Sequence, residues 1–164
     1  MKIITTHSNA DFDALASMVA ASFLYPDHIR VMPDQASPMV REFLAVHWDM
    51  LRLVSRKSID LSEVTRLVVT DTSSWNRLDR MQELAGKKDL EIHVWDHHLG
   101  QTGIEAGIIR KEETGASVTI LLEEIREKNL AFSPVHATLF LLGIYDDTGS
   151  LSFPGTTPRD AGMA

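Results

Sequence analysis

Apolar and polar positions along this chain follow two rhythms. Short, mostly apolar runs at 2–5, 29–32, 66–70, 90–95 and 108–110 read as strands. Between them lie stretches with helical spacing. Residues 12–25 place Leu15, Met18, Val19 and Ser22 on one face, and Pro26 limits further extension. Residues 37–48 carry Pro38, suited to a first helical position. Ser74 reads as the cap of a helix over 74–84, with Gly86 just past its end. Val118, Leu121, Leu122 and Ile125 define one apolar face of a helix over 115–128. After Ser133, residues 134–145 are apolar enough to predict a buried helix, and 100–107 read as a loop. Alternating strands and helices predict α/β architecture with a mainly parallel sheet.

The 164-residue length suits one compact domain. The expected division is a domain over 1–155, with 156–164 as a linker or the truncated start of a following domain. A formal net charge of −7 argues against broad electrostatic binding to duplex DNA. Local cations could still reverse the field at one site. The absence of cysteine excludes disulfides, thiolate zinc sites and a cysteine nucleophile. The N-terminal apolar run is too short for a signal peptide, and 137–145 is too short to span a bilayer. A cytoplasmic protein without membrane contact is expected.

The strands end in side chains that bind metals. The first runs into His7, Asn9, Asp11 and Asp13, the 66–70 strand into Asp71, and the 90–95 strand into Asp96, His97 and His98. A parallel sheet delivers all these ends to one edge, where open α/β sheets bind ligands. Each cluster alone has a plainer explanation. Asn9, Asp11 or Asp13 could cap the helix that follows, Asp71 could be a loop residue, and Asp96-His97-His98 a polar turn. Asp146 and Asp147 are harder to explain, because acids at the negative end of an apolar helix are unfavourable by about 0.3–1 kcal/mol each. A nearby metal ion, Arg or Lys would offset that. Gathered at one edge, Asp11, Asp13, Asp71 and Asp147 would repel by about 4 kcal/mol per pair at ~4 Å and an effective dielectric of 20. Two dications would balance four carboxylates. Mixed carboxylate and imidazole donors suit Mn²⁺, with Mg²⁺ or Co²⁺ as alternatives.

In order, the motifs are His7-Ser8-Asn9-Ala10-Asp11-Phe12-Asp13, Val69-Thr70-Asp71-Thr72, Asp96-His97-His98 and Gly143-Ile144-Tyr145-Asp146-Asp147-Thr148-Gly149. This ordered set resembles the DHH phosphoesterase superfamily over nearly the whole chain. The resemblance implies a three-layer domain with helices flanking the sheet. It also implies two metal ions. His7 and Asp11 would hold one, Asp13, His97 and Asp147 the other, and Asp71 would bridge both. Asp147 rather than Asp146 aligns as the ligand, because it directly precedes Thr148-Gly149. Asp71, Asp96 and His98 would be the catalytic group, with His98 facing the substrate phosphate and Asp96 fixing local geometry. Asn9 and His98 would line the substrate position.

The opening residues and the Thr156-Thr157-Pro158-Arg159-Asp160-Ala161 run also resemble bacterial proteins that join such a domain to CBS domains and a tRNA nucleotidyltransferase module. A Gly-Gly-Gly-His-type substrate motif, usual in a second domain of active members, is absent here. The expected activity is hydrolysis of a phosphodiester or phosphoanhydride, on short oligonucleotides or dinucleotides. The alternative is a nucleotide- or RNA-binding regulatory domain of a longer protein that acts on tRNA. Arg77, Arg80 and Arg110 read as solvated charges, His28, His47, His93 and His136 as structural, and Trp48, Trp75 and Trp95 as packing residues.

Overall fold

The computed structural model describes residues 1–100 and 102–164; Gln101, within the expected 100–107 loop, lies outside the described residues. Six strands form one sheet: β1 (Lys2–Thr6), β2 (Ile29–Met32), β3 (Leu53–Ser55), β4 (Arg66–Thr70), β5 (Glu91–Asp96) and β6 (Ile108–Lys111). Their order is β3-β2-β1-β4-β5-β6, and every pairing is parallel. The order reverses between β1 and β4, so the crevice beyond their C-terminal ends is the topological switch point of the sheet.

Alternation along the strands splits the interior into two layers. On one face Ile4, Val68 and Trp95 pack beneath α1 (Phe12–Leu24), α2 (Pro38–His47), α3 (Ser117–Glu127) and α4 (Pro134–Thr148). On the other, Ile3, Leu67, Val69 and Val94 meet Leu78, Met81, Leu84 and Ile104. This is the three-layer arrangement expected.

The second face departs from the sequence reading in one respect. Residues 74–84 do not form an α-helix. They form 3₁₀ segments at Trp75–Arg77 and Asp79–Gly86, Ser74 makes no side-chain cap, and Gly86 lies inside the second segment. Asp79 is left-handed at φ 49° and interrupts the coil. The buried residues Leu78, Met81 and Leu84 recur every three positions, the period of a 3₁₀ turn. β3 is an edge strand too short for periodicity to reveal.

α4 runs three residues beyond the expected 145, to Thr148, and stops at Gly149 in the left-handed conformation with φ 54°. Gly143 lets α4 cross α1 closely: a Cβ there would sit 2.6 Å from Ala16 Cβ. That crossing lowers the C-terminal turn of α4 onto the N-terminus of α1. Residues Pro158–Met163, in the run expected as a linker or a following domain's start, form α5. Its Thr157–Asp160 capping box is seated against α3, and Asp160 is fully buried. No helix among the described residues is long and apolar enough to cross a membrane.

Candidate metal centre

β1 and β4 are neighbours in register, Thr6 beside Thr70, so the next residues, His7 and Asp71, emerge together at the switch point. Asp71 occupies the left-handed region at φ 60°, a conformation that Asp tolerates better than most residues and that recurs at functional sites. Its Oδ2 lies 3.1 Å from His7 Nε2, and its Oδ1 accepts a hydrogen bond from Ser117 Oγ at 2.7 Å. His7 Nδ1 sits 2.8 Å from the Ser8 carbonyl. A carbonyl can only accept, so Nδ1 carries a proton and Nε2 is the nitrogen turned to the acids: protonated it donates to Asp71, deprotonated it offers a lone pair to a cation. His97 repeats the device: Nδ1 donates to the Thr114 carbonyl at 3.0 Å. This is the outer-shell arrangement that orients metal-binding imidazoles.

Asp11 is the N-cap of α1 and accepts from Ala14 N at 2.9 Å, so the capping role and the site role coexist. Its Oδ2 lies 3.8 Å from His7 Nε2. Asp13, in the first turn of the same helix, caps a different one. Its two oxygens accept from Ser117 N at 2.6 Å and Val118 N at 2.9 Å. Ala116 at the N-cap of α3 has no side chain to do this, so the cap arrives from α1. The adjacent acids of α4 divide their labour. Asp146 is exposed and accepts from Phe12 N at 3.1 Å, so the positive end of α1 offsets its charge. Asp147 turns inward, 3.2 Å from His97 Nε2.

Ligand atoms of these residues converge in overlapping sets, each within a span of 4.8 Å. One set is His7, Asp11 and Asp71; a second is Asp13, Asp71, His97 and Asp147; a third is Asp71, His97 and His98. Asp71 belongs to all three. All six residues expected as metal ligands are therefore brought together. His98 joins at the rim, half exposed, with Nδ1 held by Asp96 Oδ1 at 2.7 Å. Asn9 is exposed on the loop after β1, in left-handed backbone, and belongs to none of the converging sets.

The electrostatics are those of a cation-seeking cluster. Burial, then the charges of Asp71 and Asp147, push the Asp13 carboxyl well above its usual value. Burial and the Asp71 charge also raise Asp11. Burial alone would raise Asp71, but the His7 hydrogen bond and charge, Ser117 and His97 hold it below the usual carboxylate value. Burial opposes charge on His7, yet the bond to Asp71 outweighs it and raises the imidazole. For His97 burial again opposes, but the Asp147 carboxylate, the Thr114 carbonyl and Asp71 raise it to about 9. Although Asp147 is so close, His97 Nε2 lacks the direction for a hydrogen bond and is a buried polar atom without a partner. An unpaired imidazole nitrogen facing three carboxylates fits a divalent cation with mixed O and N donors.

Sequence reasoning missed the framework of the site. Ser117 contacts Asp71 through Oγ, receives His97 N at 3.2 Å and gives its own N–H to Asp13. Asp160 accepts from Gly115 N at 2.8 Å and Thr119 Oγ1 at 2.6 Å, bracing the loop that presents Thr114 and Ser117. Lys111, at the end of β6, donates to Ser73 Oγ at 3.1 Å and to the Gly100 carbonyl, and lies 3.8 Å from Asp96 Oδ2. The Ala at the N-cap of α3 was the one visible signal, because a helix start without its own cap needs one from elsewhere.

The DHH family, N-terminal domain, matches residues 2–144. The chain belongs to the DHH family. An A-adding tRNA nucleotidyltransferase of Geobacter sulfurreducens is 42% identical to it over 168 residues. That alignment takes in all of this DHH chain and 19% of the Geobacter protein, so the chain spans about a fifth of that relative. A Lactobacillus delbrueckii subsp. bulgaricus protein, whose name assigns it manganese-dependent inorganic pyrophosphatase activity, is 25% identical over 97% of the chain and 51% of its own length. A crystal structure of a Methanococcus jannaschii protein assigned to the family II inorganic pyrophosphatases superposes with a TM-score of 0.76 at 22% identity. It covers all of this chain and 54% of the other, and it shows the shared fold.

Proposed function

We propose that this DHH domain is a divalent-metal-dependent phosphoesterase that hydrolyses a phosphodiester or phosphoanhydride in short oligonucleotides or dinucleotides. The observation that carries the reading is the sharing of Asp71 between the His7–Asp11 set and the Asp13–His97–Asp147 set. One carboxylate common to two ligand sets is the arrangement a two-ion centre needs. In this reading His7, Asp11 and Asp71 hold one ion, and Asp13, Asp71, His97 and Asp147 hold the other. Mn²⁺ is the proposed ion, on the mixed donor set and the name of the Lactobacillus relative.

Bound ions of this kind supply charge to offset developing negative charge on phosphoryl oxygens and make water acidic enough to attack at neutral pH. The protein's own groups do the rest. His7 and His97 give Nδ1–H to carbonyls, which aims Nε2 of each at the acids; the proton that Nε2 carries in the metal-free protein would leave as an ion binds. Asp96 Oδ1 accepts both the His98 Nδ1–H at 2.7 Å and the backbone N–H at 3.1 Å, which leaves Nε2 free; in the imidazolium form Nε2 donates to a substrate phosphoryl oxygen. Asn9, exposed beside the site, is a candidate to touch the leaving portion of the substrate.

The test is Mn²⁺-dependent hydrolysis of a dinucleotide by wild type and by Asp71→Asn. Loss of at least about a hundredfold in the variant is expected, because a shared ligand is removed. Equal rates in the two proteins would refute the reading.

The name of the Geobacter relative favours a second reading, in which this domain binds nucleotide or RNA for a longer protein that acts on tRNA. Activity with added Mn²⁺ in the 164-residue chain, compared with a parent carrying the nucleotidyltransferase module, separates the two.

A further inference from the structure

A second concavity opens on the edge of the sheet that carries the metal cluster. Its volume is about 510 Å³, within the range of small-molecule sites. Met32, the last residue of β2, lines it together with Leu44 and Trp48 from the α2 segment, which supply apolar surface. Arg41 and Lys57 bring positive charge, and Asp34 is the acid among the lining residues. Neither Arg41 nor Lys57 has a carboxylate within ion-pair distance among the described residues, so neither charge is consumed internally.

This concavity is tied to the metal loop. Ala10 N donates to the Gln35 carbonyl at 3.2 Å, and Ser37 N donates to the Ala10 carbonyl at 2.9 Å. Ala10 and Ala36 form a parallel bridge. Asp34 and Ala36 line the concavity, while Asp11 directly follows Ala10. The wall of one site and the ligand loop of the other are thus neighbouring backbone segments, about 5 Å apart.

We propose that the concavity between β2, β3 and α2 is a nucleoside subsite. It takes the base of a nucleotide against Trp48 and its phosphate beside Arg41 and Lys57. An indole offers a base a π-face whatever the sequence, and the apolar walls favour a planar heterocycle over a bare anion. On a protein of net charge −7, two uncommitted cations beside an aromatic wall at the ligand-binding edge match a phosphate joined to a base. Asp34 supplies an acceptor for an amino or imino hydrogen of the base. The subsite deepens the phosphoesterase reading by selecting nucleotides over pyrophosphate, and it rests on that reading only for its use in turnover.

The experiment is binding of adenosine 5′-monophosphate to the chain in EDTA. Without ions the acidic cluster repels phosphate, so its contribution is suppressed. Binding is read by calorimetry and by tryptophan fluorescence, with ribose 5-phosphate and inorganic phosphate as comparisons. Saturable binding is expected, with quenching that disappears in Trp48→Phe while Trp75 and Trp95 still report. Arg41→Ala and Lys57→Ala alter exposed charge and leave the interior intact; each should weaken binding about 5-fold or more. Trp48→Ala should weaken it about 5- to 100-fold, the range of base–aromatic stacking. No saturation at millimolar nucleotide, equal affinity in Arg41→Ala and Lys57→Ala, or equal affinity for inorganic phosphate would overturn the subsite. Hydrolysis plays no part in these readouts, so an inactive protein that binds the nucleotide would count against the phosphoesterase reading alone.

Discussion

Asp13 and Ser117 stand 104 positions apart in the chain, yet the Asp13 carboxylate accepts the Ser117 backbone N–H at 2.6 Å. One side chain therefore serves two purposes: it starts α3, and it is a candidate metal ligand. Asp147, in the same ligand set, approaches His97 and among the described residues makes no hydrogen bond to backbone.

This difference separates two substitutions. Asn at 13 turns an amide N–H₂ toward a buried backbone donor, which costs about 1–3 kcal/mol. Asp13→Asn should lower the melting temperature of the metal-free protein and abolish stabilisation by Mn²⁺. Asp147→Asn should abolish the Mn²⁺ effect while lowering metal-free stability only below about pH 9, where the carboxylate helps hold charge on His97. Thermal melts with and without Mn²⁺ test both, and a metal-free loss above about pH 9 as large in Asp147→Asn as in Asp13→Asn would contradict the assignment.

Proton competition gives the centre a pH dependence. His97 is raised to about 9, because the neighbouring carboxylates outweigh the cost of burying its charge. A metal must displace that proton, so Mn²⁺ affinity should rise by up to about tenfold per pH unit between roughly pH 6.5 and 9. In the metal-free protein the sign is opposite. A folded value above the unfolded one adds stability that is complete below about 6.5 and is lost as pH rises through 9. Calorimetry in buffers of different ionisation enthalpy reports the proton released. A pH-independent affinity would remove His97 from the ligand set.

Asp160 titrates at the other end of the scale. Burial opposes its charge, but bonds from Thr119, Thr157 and Gly115 hold its carboxyl below the usual value. A lowered folded value adds stability that is present above the unfolded pKa, near 3.9, and is lost as pH falls through the folded one. Asp160→Ala should cost at least about 2 kcal/mol at neutral pH by leaving buried donors unpaired. It should also weaken metal binding, since Gly115 adjoins the Thr114 carbonyl that aims His97. Urea unfolding with a parallel Mn²⁺ titration checks both effects.

His98 can be separated from metal binding. Its Nδ1 is committed to Asp96 and its ring stands at the rim, so His98→Ala should leave Mn²⁺ affinity within a fewfold. Turnover should fall by about 10²–10⁴ if the ring donates to the transferring phosphoryl group. Unchanged turnover would remove His98 from the chemistry.

The sequence disclosed the residues that converge because metal chemistry restricts candidates to few side-chain types, and because parallel strands deliver their ends to one edge. It disclosed the strands whose apolar runs were long enough. It did not disclose β3, which has no room for a pattern. Nor did it disclose the 3₁₀ course of 75–86, where a three-residue repeat resembles a poorly sampled helix. The supports of the site were hidden for a different reason. Ser117, Thr114 and Lys111 act through contacts with residues distant in sequence, and a Ser or Lys alone in a loop carries no local signature. Asp146 and Asp147 show the same limit: adjacent and identical in type, they are told apart by which way the helix turns each one.

The converging side chains come from both ends of the chain, His7 near one and Asp147 near the other. Two ions joined through the shared Asp71 would act as a buckle across the domain, closing a loop that otherwise costs entropy to draw shut. Its hold scales with the logarithm of free ion concentration. Withdrawing the cation should therefore loosen the domain where its two ends meet, with α4 becoming open to proteolysis.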